Sequence, residues 1–92
     1  MSSEEQLLRA ARGAEVAGDR ERARALYRDA LVSADAAGAA AVGIARLDLE
    51  AGCPDDVISG LDKVRHDRVP PEQLAEYFLL RAGAFRLRGE AG

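Results

Sequence analysis

The chain has 92 residues and a formal net charge of −3, the size of one small domain that buries about 60–65% of the surface its unfolded form exposes. Both signs of charge are interleaved, which argues against nucleic acid or an anionic membrane as the main partner, and no apolar run approaches the ~20 residues of a membrane span. Trp, Asn and Thr are absent while Ala, Leu, Arg and Glu abound, so the composition favours helices over strands and an all-α fold.

The first helix is expected over Ser3 to Ala17. Ser3 is the N-cap, with Gln6 three residues on as in a capping box, and Glu4 and Glu5 lie in the first turn, where the helix dipole favours anions. Leu7, Ala10, Ala11 and Ala14 have the spacing of one buried face. Gly18 ends the helix in the left-handed conformation that glycine tolerates. Asp19 then caps a second helix, expected from Arg20 to about Ala36, with Ala23, Leu26, Tyr27, Ala30 and Leu31 inward. Its Arg20, Arg22, Arg24 and Arg28 read as a solvated outer face interleaved with Glu21 and Asp29.

Gly38 is expected to break the chain before a third helix over Ala39 to Ala51, closed by Gly52. Asp48 falls on the inner face of that helix, so it lies at the rim or pairs with an arginine of a neighbouring helix. Pro54 opens the fourth helix, where its missing N–H costs nothing, and Val57, Ile58, Leu61 and Val64 form the buried face. Fraying is expected near His66 or Asp67, because Pro70 and Pro71 cannot continue a helix. The fifth helix runs from Pro71 to Arg88, stops at Gly89 and leaves a short disordered tail over residues 90–92.

The pattern repeats. Ala11, Gly18, Ala23, Tyr27 and Ala30 are matched 34 residues on by Ala45, Gly52, Val57, Leu61 and Val64, and a partial third copy offers Ala82 and Gly89, at a spacing of 37. A fixed period near 34, with small residues where helices cross and Gly at the turn, is the signature of a helix–turn–helix array. On these residues the chain resembles the tetratricopeptide repeat family. Leu7, Ala11, Ala14, Gly18, Ala23, Tyr27 and Ala30 fill the family's positions in a first repeat over 4–37. Ala41, Ala45, Asp48, Gly52, Val57, Leu61 and Val64 fill them in a second repeat over 38–70, which departs from the pattern at Ala41 and Asp48. Phe78, Ala82, Phe85 and Gly89 fill them in a half-repeat over 71–89.

The resemblance implies one domain over 1–92, with five antiparallel helices in a right-handed superhelical stack. It also implies a concave groove, lined by the first helix of each repeat, that binds a protein partner. Carried over position by position, the groove is Leu8, Val42 and Leu79, then Arg12, Arg46 and Gly83, then Glu15, Leu49 and Arg86 with their neighbours. This is an apolar stripe flanked by arginines, suited to a peptide or helix with apolar anchors and an acidic group. The family's carboxylate clamp needs groove asparagines, and the chain has none.

No catalytic constellation is present in the sequence, and no cofactor or enzymatic activity is expected. His66 is the only histidine and Cys53 the only cysteine, too few for the common zinc sites and insufficient for an internal disulfide, which fits a reducing compartment. The N-terminal MSSEEQ lacks the basic and apolar regions of a signal peptide, so the expected location is the cytoplasm. Arg outnumbers Lys twelve to one, a bias of GC-rich bacterial codons. The expected function is a non-enzymatic adaptor that binds a protein segment. The alternatives are a self-assembly module and a fragment of a longer regulator. For self-assembly, Leu74, Phe78, Ala82 and Phe85 are expected to cover helices three and four. Tyr77, Leu80, Ala84 and Leu87 then form a second apolar face, open to a homodimer.

Overall fold

The computed structural model describes the backbone of residues 2–91 and the side chains of residues 2–89. Among them are five α-helices and no strand: α1 (Ser3–Val16), α2 (Arg20–Leu31), α3 (Ala37–Glu50), α4 (Pro54–Asp62) and α5 (Leu74–Ala91). Short 3-10 turns at His66–Arg68 and Pro71–Gln73 fill the passage from α4 to α5. Consecutive helices pack against each other, and α1 also touches α3, as α3 touches α5. The first, third and fifth helices therefore adjoin one another in turn. The whole measures 44 × 29 × 20 Å.

The turns after α1 and α3 are built alike. Gly18 and Gly52 have φ of +85° and +76°, the left-handed region in which a Cβ would be strained. At the first turn the Gly18 N–H donates to the Glu15 carbonyl (3.1 Å) and the Asp19 N–H to the Ala14 carbonyl (2.9 Å). At the second, Gly52 donates to Leu49 (3.0 Å) and Cys53 to Asp48 (2.9 Å). Both are Schellman caps that satisfy the last carbonyls of a helix. Asp19 caps α2, its Oδ1 accepting from the Arg22 N–H at 3.2 Å, and Pro54 occupies the first turn of α4.

Several expected boundaries move. The N-cap of α1 is Ser2, whose hydroxyl accepts from the Glu5 N–H, one residue before the expected Ser3. Helix α2 stops at Leu31 rather than Ala36; the chain turns through Ser33, whose carbonyl accepts from the N–H groups of Ala36 and Ala37. Gly38 does not break the chain: it lies buried inside α3, where a Cβ would overlap the Arg68 carbonyl. Its service is to let the α4–α5 connection lie against α3. Helix α4 ends at Asp62, and Val69 is buried to pin the connection that follows. Gly89 lies within α5 and does not stop it; of the expected tail, the backbone is helical to Ala91 and Gly92 lies outside the described residues.

Two apolar clusters form the interior. The N-terminal one is built largely of alanines (Ala11, Ala14, Ala23, Ala30, Ala36 and Ala40) around Tyr27 and Leu47. The other holds larger side chains, among them Val42, Val57, Leu61, Tyr77 and Leu80. Ala10, expected inside, is exposed. Tyr27 packs face-on to α3 at Gly43, where a Cβ would overlap its ring.

The largest correction concerns α5. Tyr77, Leu80 and Ala84, expected to face outward, are buried among Val57, Leu61 and Val69, and Leu87 is half-buried. Phe78 and Phe85, expected to face inward, are 53% and 47% exposed. The copy on α5 is thus displaced by one residue from the expected register, and one residue on a helix is a rotation of about 100°. The second face cannot serve as the expected homodimer surface, because it is the chain's own core.

Candidate functional site

The region between α1, α3 and α5 is organised by Arg46 of α3. Its Nη1 donates to both carboxylate oxygens of Glu15 on α1, at 2.7 and 2.9 Å. Its Nε and Nη2 donate to the carboxylate of Glu76 on α5, at 2.6 and 2.8 Å. The Tyr27 hydroxyl of α2 donates to Glu15 at 2.8 Å. One guanidinium therefore ties together three helices, through the planar two-pronged geometry that suits Arg to carboxylates, and Tyr27 joins α2 to them through Glu15. Hydrogen bonding to Glu76, opposed by desolvation, raises the Arg46 pKa above its ordinary range, and the same bond lowers that of Glu76. Burial, reinforced by the bond to Glu15, pushes the Tyr27 phenol up to about 12.

Beside this network lies a cleft of about 360 Å³ between α1, the start of α3 and the Pro70–Gln73 turn. Leu8, Ala39 and Pro70 give it apolar walls; Arg9, Arg12, Arg46, Tyr27 and Gln73 give it polar ones, together with the carboxylates Glu5 and Glu72. A second hollow, lined by Glu15, Val16, Arg20 and Glu50 among others, shares Arg12 and Arg46 with it. Among the described residues, neither Arg9 nor Arg12 has an acidic partner within ion-pair distance. Gln73 is 9% exposed, and its Oε1 is buried with no hydrogen-bond partner.

Of the expected groove residues, Leu8, Arg12 and Arg46 come together in the first cleft and Glu15 adjoins it. Val42 is wholly buried and lines nothing. Leu49 packs partly buried on the C-terminal core, beside Gly83 of α5. Leu79 and Arg86 are exposed on α5, away from both hollows. Arg46, expected as a free reader of acidic ligands, is already saturated by two carboxylates. Arg9 and Gln73 were not anticipated. Arg9 lies next to the expected Leu8, whereas Gln73 carries no sequence signal, because its burial depends on a turn between two helices.

Asp48 takes the second of its two expected places: it is buried and pairs with Arg24 of α2 at 2.6 Å. Arg24 therefore does not belong to a purely solvated face, and Arg20 bonds Glu50 at 3.4 Å. His66 is exposed, 6.4 Å from the Phe78 ring. Cys53 is a free thiol with only a weak contact to the Ala51 carbonyl. Among the described residues no group of three or more His, Cys, Asp or Glu could hold a metal ion, and no helix is long and apolar enough to cross a membrane. No family model matches the chain, and neither a curated protein nor a solved structure matches it.

Proposed function

We propose that the chain is a tetratricopeptide-like, non-enzymatic adaptor of the cytoplasm that holds a segment of a partner protein in the cleft between α1 and α3. The observation that carries this reading is that Arg9 and Arg12, both exposed and without an acidic partner within ion-pair distance, line a cleft that also offers Leu8 and Pro70. Arg9 and Arg12 take an acidic side chain or terminal carboxylate of the same segment, while Leu8 and Pro70 receive an apolar one. Support for the stack comes from the two matching Schellman turns at Gly18 and Gly52 and from the contacts of α1 with α3 and α3 with α5.

The test is an array of acidic, Leu-containing peptides probed with the purified chain, followed by solution affinity for the strongest binder. An Arg9→Ala, Arg12→Ala double variant keeps its helical spectrum and loses at least tenfold in affinity, and binding by the unaltered chain weakens as salt is raised. Binding that is indifferent to both changes overturns the reading. Arg46→Ala is no substitute as a probe, because it leaves Glu15 and Glu76 without their cation and lowers stability instead.

A further inference from the structure

We infer, taking the cleft as the peptide site just proposed, that the bound segment carries a cation as well as a carboxylate. The cation sits against Glu5 and Glu72, and the carboxylate against Arg9 and Arg12. Both glutamates line the cleft together with the two arginines, and all four side chains are exposed. Among the described residues, none of the four has a partner of opposite charge within ion-pair distance. Nor do they pair with one another: Glu5 and Arg9 stand four residues apart on α1, the spacing of a helical ion pair, and stay separate. For a purely acidic ligand the two carboxylates on the wall are a handicap, since they repel it. For a ligand of both signs they are a second pole.

The charges are sorted along the cleft. Glu5 lies in the first turn of α1 and Glu72 in the turn that leads into α5. Ala39, on the same cleft, lies near the start of α3. The acidic pole is therefore the end at which these three helices begin. Arg12 stands about 10 Å further along α1, next to the Arg46 network: the Glu76 pKa, lowered first by its bond to Arg46, is lowered further by the charge of Arg12. Arg46 adds no free charge of its own, being held by Glu15 and Glu76. Arg9 stands about one turn from Glu5 and from Arg12, and Leu8 offers apolar surface between the poles. A length of about 10 Å is roughly three residues of extended chain. A segment with Lys or Arg, then Leu, then Asp or Glu about three residues from the cation meets both poles at once. A uniformly acidic segment of that length sets one carboxylate against Glu5 and Glu72.

The test is an array of Leu-containing peptides in matched pairs, the members of a pair differing only in lysine or glutamine about three residues from a glutamate. The array is probed with the purified chain, and affinities for the best-bound pair are measured in solution. The lysine member is expected to bind at least about threefold more tightly, the scale of an exposed ion pair. In a Glu5→Gln, Glu72→Gln variant with an unchanged helical spectrum, the two members are expected to bind alike. Equal affinity for both members on the unaltered chain, or a preference for glutamine, overturns the proposal. If that binding is nonetheless lost in the Arg9→Ala, Arg12→Ala variant, the peptide site stands and the two glutamates serve only to start their helices. A lysine preference that persists in the Glu5→Gln, Glu72→Gln variant also overturns the proposal. Binding of no member of the array overturns the ligand chemistry and the peptide site together.

Discussion

Tyr27 shows how much one side chain can carry. Its ring fills the alanine-rich cluster, where no other aromatic residue is present, and its hydroxyl meets Glu15 at 2.8 Å. Ionising that phenol would bury a second negative charge beside a carboxylate. The pKa is raised to about 12, so the protonated form is favoured by folding. The stability it contributes is whole below the ordinary value near 10 and is lost as pH rises from there through about 12. Alkaline unfolding followed by helical signal is therefore expected to begin within that window, and Tyr27→Phe is expected to remove this part of the pH dependence. Glu76 behaves in the opposite sense. Its pKa is lowered by Arg46, so its contribution is present above the usual carboxylate range and fades on acidification.

At the scale of elements, local signals and contextual ones part company. Gly18, Asp19, Gly52 and Pro54 all act where the sequence places them, because a positive φ, a capping carboxylate and a missing N–H are decided by a few neighbouring residues. A Gly52→Ala variant is accordingly expected to lose about 1–2 kcal/mol in chemical denaturation with no change of fold. The register of α5 is another matter. The helix carries apolar side chains nearly all round, from Tyr77 and Leu80 to Phe78 and Phe85, so periodicity offers two acceptable faces. The choice falls to the α4–α5 connection, whose path depends on Val69 being buried and Gly38 giving way to backbone. Neither is visible as a local pattern. The candidate cleft is legible to a similar extent: Leu8 and Arg12 follow from the resemblance to the repeat pattern, position by position. The saturation of Arg46 and the isolation of Gln73 required knowing which helices are neighbours.

Across the whole molecule, the two apolar clusters differ in substance. The N-terminal cluster buries mostly methyl groups, while the C-terminal one buries Val, Ile, Leu and Tyr side chains. Hydrophobic stabilisation scales with apolar area removed from water, so the first hairpin is held less firmly per residue. Native-state hydrogen exchange is expected to show α1 and α2 opening at lower free energy than α4. Equal protection across the helices would show instead that the carboxylate–guanidinium links through Arg46 bind the halves into one cooperative unit.

The contact between Tyr27 and Gly43 has a further consequence, for how the sequence can change over time. A methyl group at position 43 overlaps the phenol ring, so the two sites cannot drift independently. Gly43→Ala alone is expected to destabilise the fold, and the same substitution joined to Tyr27→Leu is expected to recover part of the loss. A descendant that acquires a side chain at position 43 must first give up its tyrosine, and with it the hydroxyl that steadies Glu15. The two positions are inherited as a pair.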